Sequence, residues 1–173
     1  MRLIVETGEG LPEANSYIDI TDIENYLPSS VYNNFKTLTA DEQVDRMIIA
    51  SFFIDYSFNW LGKIKTIEQG LSFPRTDIIF QGHELPNNII PKQVKKASAM
   101  AVNLIMVSGI NVFQKTGKAQ IKKEKMAIFE TEYFEVLKKE YLNSSEYSDI
   151  NNVLRGLFFK SSGGVVSVEV NRK

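Results

Sequence analysis

The chain has 173 residues, 43% of them hydrophobic, which is one domain's worth of sequence and enough to bury a sizeable core. It contains no cysteine, so disulfides, thiolate metal ligands and cysteine nucleophiles are excluded together. With 20 basic against 21 acidic residues the net charge is −1, a poor balance for a protein whose main work is neutralising phosphates.

Leu3 to Val5 reads as a short strand and Gly8-Glu9-Gly10 as the turn after it. Glu6 and Glu9 follow Met1 to Val5 at once, so no apolar signal-peptide region is expected, and no run approaches a membrane span. A soluble protein is the expectation. Thr21-Asp22-Ile23-Glu24 has the form of a capping box and predicts a short helix, whose continuation Pro28 restricts. Thr39-Ala40-Asp41-Glu42 repeats the device ahead of Val44, Met47, Ile48, Ser51, Asp55 and Phe58, which recur at helical spacing. That stripe predicts a buried helix running to about Trp60, with Gly62 as its stop. Lys63 to Ile90 keeps no period and is broken by Gly70, Pro74, Gly82 and Pro86, which predicts a long ordered loop with at most a short strand at Asp77 to Gln81. Pro91 suits the first turn of the next helix. Its apolar face carries Val94, Ala97, Ala101, Leu104 and Ile105, with Met100, Val102 and Val107 on another face and Gly109 as its end. The small residues Ala97, Ser98, Ala99 and Ala101 would let a second helix come close.

Between Gly117 and Phe134 the period changes to two, predicting a β-hairpin arm that needs the body or another subunit beneath it. Ile150, Val153, Leu154 and Leu157 predict a final short helix, and Ser161-Ser162-Gly163-Gly164 reads as a flexible joint. Beyond it Val166, Val168 and Val170 alternate with Ser167 and Glu169, a strand pattern that would pair with Leu3 to Val5 or with an exposed edge on another chain. The expected fold is mainly α: a small helical bundle with a β-hairpin arm at about 117–134 and a C-terminal extended strand. Its organisation is a helical domain over 1–156 and a mobile tail over 157–173.

Few residues speak for chemistry. His83 stands alone beside Glu84, without the partners a ligand or general base needs. Gly8-Glu9-Gly10 lacks the third glycine of a dinucleotide fingerprint, and the acidic start at Asp41, Glu42 and Asp45 is what a helix N-terminus favours. Neither an enzyme, a metal nor any other cofactor is expected. Tyr56, Phe58 and Trp60 followed by Lys63 and Lys65 have the makings of a single-strand stacking platform, against which stands ordinary packing at a helix end. Lys115, Lys118, Lys122, Lys123 and Lys125 read either as a solvated hairpin tip or as a weak contact to DNA in a channel. Arg75 after Phe73-Pro74 is a candidate anchor for the long loop. The charge is also unevenly spread: Met1 to Ile90 holds 6 basic and 13 acidic residues, Pro91 to Lys173 holds 14 and 8. Opposite halves suit either head-to-tail association or folding against each other.

Several landmarks together carry a resemblance. They are the opening Leu3-Ile4-Val5-Glu6-Thr7-Gly8-Glu9-Gly10-Leu11-Pro12-Glu13-Ala14-Asn15-Ser16-Tyr17-Ile18, then Ile54-Asp55-Tyr56-Ser57 with Trp60-Leu61-Gly62-Lys63, Gln69-Gly70-Leu71-Ser72-Phe73-Pro74-Arg75, and Ile90-Pro91-Lys92-Gln93-Val94. In this order, over roughly the first four-fifths of the chain, they resemble a phage family known by two names. One is the head–tail connector (adaptor) proteins of tailed phages; the other is proteins similar to the single-stranded-DNA-binding primosomal protein DnaT. Phe73 departs from the tryptophan more common there, and Tyr141 to Asp149 looks like a polar insertion. The connector resemblance implies a structural protein of the virion neck, made in the host cytoplasm and assembled below the portal as a homo-oligomeric ring of on the order of twelve copies. Its partners would be the portal protein and a tail or second neck protein, with no membrane and at most non-specific contact between genomic DNA and Lys118, Lys122, Lys123 and Lys125. Leu157, Phe158, Phe159, Val165, Val166, Val168 and Val170 would then dock on the portal or a neighbouring subunit. The other name implies a single-stranded-DNA-binding replication accessory protein.

Overall fold

Thr39 and Glu42 close a reciprocal cap: the Glu42 carboxylate accepts from the Thr39 N–H at 2.9 Å, and the Thr39 hydroxyl accepts from the Glu42 N–H at 3.3 Å. From that cap a helix, α2, runs over Ala40–Ser57 and buries Met47, Ile49, Ala50, Phe53 and Ile54. The structure is a computed structural model, and the residues it describes are 2–108 and 145–159. The arm expected at 117–134, the helix stop expected at Gly109 and the strand expected at Val165 to Val170 lie outside the described residues.

Ahead of α2 the chain differs from expectation. Thr21 does not cap a helix, because Asp19 takes both its N–H and its hydroxyl, at 2.9 and 2.8 Å. Only a single 3₁₀ turn forms, Ile23–Asn25, and Pro28 then precedes a helix the sequence reading lacked, α1, Ser29–Lys36. Gln43 of α2 donates to the carbonyls of Phe35 and Leu38, closing the end of α1. The opening strand pairs with a nearby segment, and its expected pairing with the C-terminal strand lies outside the described residues. Ile4 and Glu6 pair with Asn15 and Ser16, a parallel bridge centred on Val5 and Ser16.

Helix α2 ends three residues short of Trp60. At Phe58 the backbone becomes extended, and Asn59 to Leu61 run antiparallel to Leu157 to Phe159, joined by hydrogen bonds of 2.9 and 2.7 Å. Gly62 therefore does not stop the helix; it turns the chain, at φ +69°, into two small hairpins. Strand β1, Lys63–Ile64, pairs with β2, Arg75–Thr76, and β3, Ile79–Phe80, pairs with β4, His83–Glu84. The segment expected to be a loop thus holds four two-residue strands, each too short to show a period.

Helix α3, Lys92–Ser108, begins directly after Pro91 as expected and packs mainly on α2 and on the last helix, α4, Ser145–Leu154. Its small residues Ala97, Ser98, Ala99 and Ala101 are all fully buried and permit that close approach. Val107 is not part of the core, being 70% exposed. Helix α4 starts inside the stretch read as a polar insertion, and Tyr147 of that stretch is buried against Phe53 and Phe58. Leu157 lies past the end of α4, beyond Gly156 at φ +98°, and is completely buried. The whole is a mainly α domain, a helical bundle with two antiparallel hairpins on one end of α2.

Candidate nucleic-acid interface

The aromatic cluster that closes α2 is built from both ends of the chain. Phe58 leaves the helix and turns inward, its ring 4.8 Å from that of Phe158, 5.4 Å from Trp60 and 6.1 Å from Tyr147. The Trp60 ring stands edge-on to Phe73 at 4.9 Å, and its indole N–H donates to the Asp55 carbonyl at 3.3 Å. Phe58 is 8% and Trp60 7% exposed, so neither face is open to an unpaired base. Tyr56, on the outer side of α2, is 57% exposed.

The two lysines behind these rings are also occupied. The Lys63 ammonium pairs with Asp77 at 3.1 Å, and Lys65 donates to the Gly8 carbonyl at 2.9 Å, which ties the first glycine turn to the loop after β1. As a stacking platform with a phosphate clamp, the group from Tyr56 to Lys65 does not assemble. Phe58 and Trp60 are packing, for the reason the sequence left open: a large ring at a helix end is most often core.

Arg75 spans three carbonyls, those of Leu61 at 2.7 Å, Gly62 at 2.9 Å and Ser72 at 3.2 Å. Its planar fork suits this, since one side chain satisfies the acceptors on both sides of a tight turn. Beneath it lies a polar knot the sequence reading missed. Asp55 is partly buried, accepts from the Ser72 N–H at 2.7 Å and is hydrogen-bonded by the Tyr17 hydroxyl, which in turn accepts from the Phe73 N–H at 3.2 Å. Burial pushes the Asp55 carboxyl up to about 7 and the Tyr17 phenol up as well. A second buried carboxylate, Glu6, accepts from the N–H groups of Gly8, Gly10 and Leu11 at 2.7 to 2.9 Å and so shapes the opening glycine turn. Both knots hold loops in place.

Of the residues proposed to dock on a portal or neighbour, Leu157 is inside the core, Phe158 is partly buried on Phe58, and Phe159 is 58% exposed. Val165, Val166, Val168 and Val170 lie outside the described residues, as do Lys115, Lys118, Lys122, Lys123 and Lys125. His83 sits exposed in β4, and among the described residues no group of histidine and carboxylates is arranged to hold a metal. No helix among the described residues is long and apolar enough to cross a membrane.

A family model described as "Putative DnaT-like ssDNA binding protein" covers residues 1–173. No curated protein and no solved structure matches the chain.

Proposed function

The chain belongs to the family of DnaT-like ssDNA binding proteins, and from that premise we propose that it binds single-stranded DNA without sequence preference, as a non-enzymatic accessory protein. The observation that carries this reading is the family match over all 173 residues. Charge agrees with it in one half only. Residues 91–173 carry 14 basic and 8 acidic side chains, so the backbone of a strand would be held from that half, with Lys115, Lys118, Lys122, Lys123 and Lys125 supplying most of the attraction. Fluorescence anisotropy of a labelled deoxythymidine oligomer at low salt tests it. Binding that weakens with salt and with neutralisation of those five lysines is expected; absence of binding at low salt would refute the reading. Trp60→Ala is a poor probe, since Trp60 is a core residue.

A second reading is favoured by the same charges and by the buried rings. An acidic first half, a basic second half and no open stacking platform at the end of α2 suit a subunit that associates head to tail, as a connector in the neck of a tailed phage does by resemblance. In that reading the protein forms a ring of on the order of twelve copies, joins the portal to a tail or second neck protein, and works by assembly rather than chemistry. Phe159 and Val165 to Val170 are its docking residues; Leu157 holds the monomer together instead. Electron microscopy of the purified protein should then show rings, and deletion of residues 163–173 should leave heads unjoined to tails. Infectious particles of normal yield from that deletion would remove the docking role.

A further inference from the structure

With the end of α2 closed to bases, another surface must meet them if a strand is bound at all. A cleft of about 590 Å³ lies between the 3₁₀ turn and Pro28 on one side and α3 and α4 on the other. Its volume is within the roughly 300–1,000 Å³ usual for small-molecule sites. Tyr26 and Met100 give it a flat apolar wall, Asn25 and Asn103 bring side-chain amides, and the exposed Lys96 stands at its rim. Asn103 also lines a second cleft, of about 390 Å³, together with Leu38, Met106 and Arg46. The Arg46 Nε is shielded from solvent and has no acceptor. From Lys96 to Val107 the helix rises about 16 Å at 1.5 Å per residue. A stacked strand advances about 3.4 Å per nucleotide, so that stretch of α3 is as long as several nucleotides.

We propose that this groove along α3 is a single-stranded-DNA site, in which bases enter between Tyr26 and Met100, the amides of Asn25 and Asn103 meet their edges, and Lys96 and Arg46 hold the backbone at the two ends. The assignment rests on the single-strand reading above and gives it a place on the described body. An aromatic face, donor-and-acceptor amides and a cation at each end are what sequence-tolerant strand binding needs. The remaining charges set the orientation. Glu146 and Asp149 face the first cleft from α4 and repel phosphate there, so the bases point inward and the sugar–phosphate chain outward. Glu42 and Asp45 lie near Arg46 on its own helix and temper its charge, which favours weak binding.

The test is a titration of the isotopically labelled full-length protein with a deoxythymidine oligomer at low salt, read by amide chemical shifts and paired with anisotropy on variants. Shifts at Asn25, Tyr26, Met100 and Asn103 are expected, with affinity reduced about tenfold by Tyr26→Ala and by a similar factor in Lys96→Glu. Lys96 is exposed, so its variant should keep the parent's melting curve and separates loss of binding from loss of fold. Binding that survives Lys96→Glu unchanged, with shifts confined to other residues, overturns the groove and leaves the single-strand reading standing. An unaltered protein that binds no oligomer at low salt overturns both.

Discussion

Burial alone moves the Asp55 carboxyl up to about 7, against hydrogen bonds from Tyr17 and Ser72 and the nearby Arg75 guanidinium, all of which pull it down. The sign of the resulting pH dependence follows. Between its unfolded value of 3.8 and about 7 the folded protein keeps a proton that the unfolded chain has released. Stability should therefore fall as pH rises through that window and level off above it. Asp55→Asn is a neutral isostere whose oxygen can still accept from Ser72, so urea unfolding at pH 5 and pH 8 should show the slope in the parent and its loss in the variant. An identical slope in both proteins would assign the effect to another group. Glu6 makes a different prediction, because its carboxylate accepts from three N–H donors of one turn. Glu6→Ala should cost about 3 kcal/mol in denaturant unfolding, whereas Glu9→Ala, at an exposed position, should stay within about 0.5 kcal/mol of the parent.

At the scale of elements, two glycines separate space from conformation. Gly62 and Gly82 both have positive φ, +69° and +84°, but a Cβ on Gly62 would lie 2.1 Å from the Thr76 carbonyl oxygen while one on Gly82 would meet nothing within 4 Å. Gly82→Ala should cost about 1 kcal/mol, the strain of a left-handed residue in the Gln81-Gly82 hairpin turn. Gly62→Ala should cost about 3 kcal/mol or more, since β2 must move away from the turn. Equal melting temperatures for the two variants would contradict this. The same contrast between local and distant causes decides what was legible in the sequence. The Thr39 cap and the Pro91 start were readable because both ends of each device lie within four residues. Thr21 misled because Asp19, just upstream, competes for the same donors. The early end of α2 was unreadable, because the strand that draws Asn59 to Leu61 away comes from Leu157 to Phe159. Of the polar knots, Asp55 left a signal, a carboxylate on the buried stripe of its helix; Glu6 left only its place before two glycines.

At the scale of the whole molecule, one basic half must be matched to one acidic half, and the two readings of function spend the same lysines differently. Residues 1–90 hold 6 basic and 13 acidic side chains, residues 91–173 hold 14 and 8. If the second half holds a strand, each phosphate it neutralises releases a counterion, and affinity falls with salt by a slope of about 0.7 per contact on single strands. Neutralising Lys115, Lys118, Lys122, Lys123 and Lys125 to glutamine should then flatten the plot of log affinity against log salt by up to about 3.5, without altering the melting curve. If instead those lysines face the acidic half of a neighbour, the slope for any residual DNA binding should stay the same, and the loss should appear as smaller assemblies in sedimentation at low salt. The two measurements on one variant therefore divide the readings. An unchanged slope together with unchanged assembly would free the lysines from both roles and leave the α3 groove as the surface on which DNA binding must be sought.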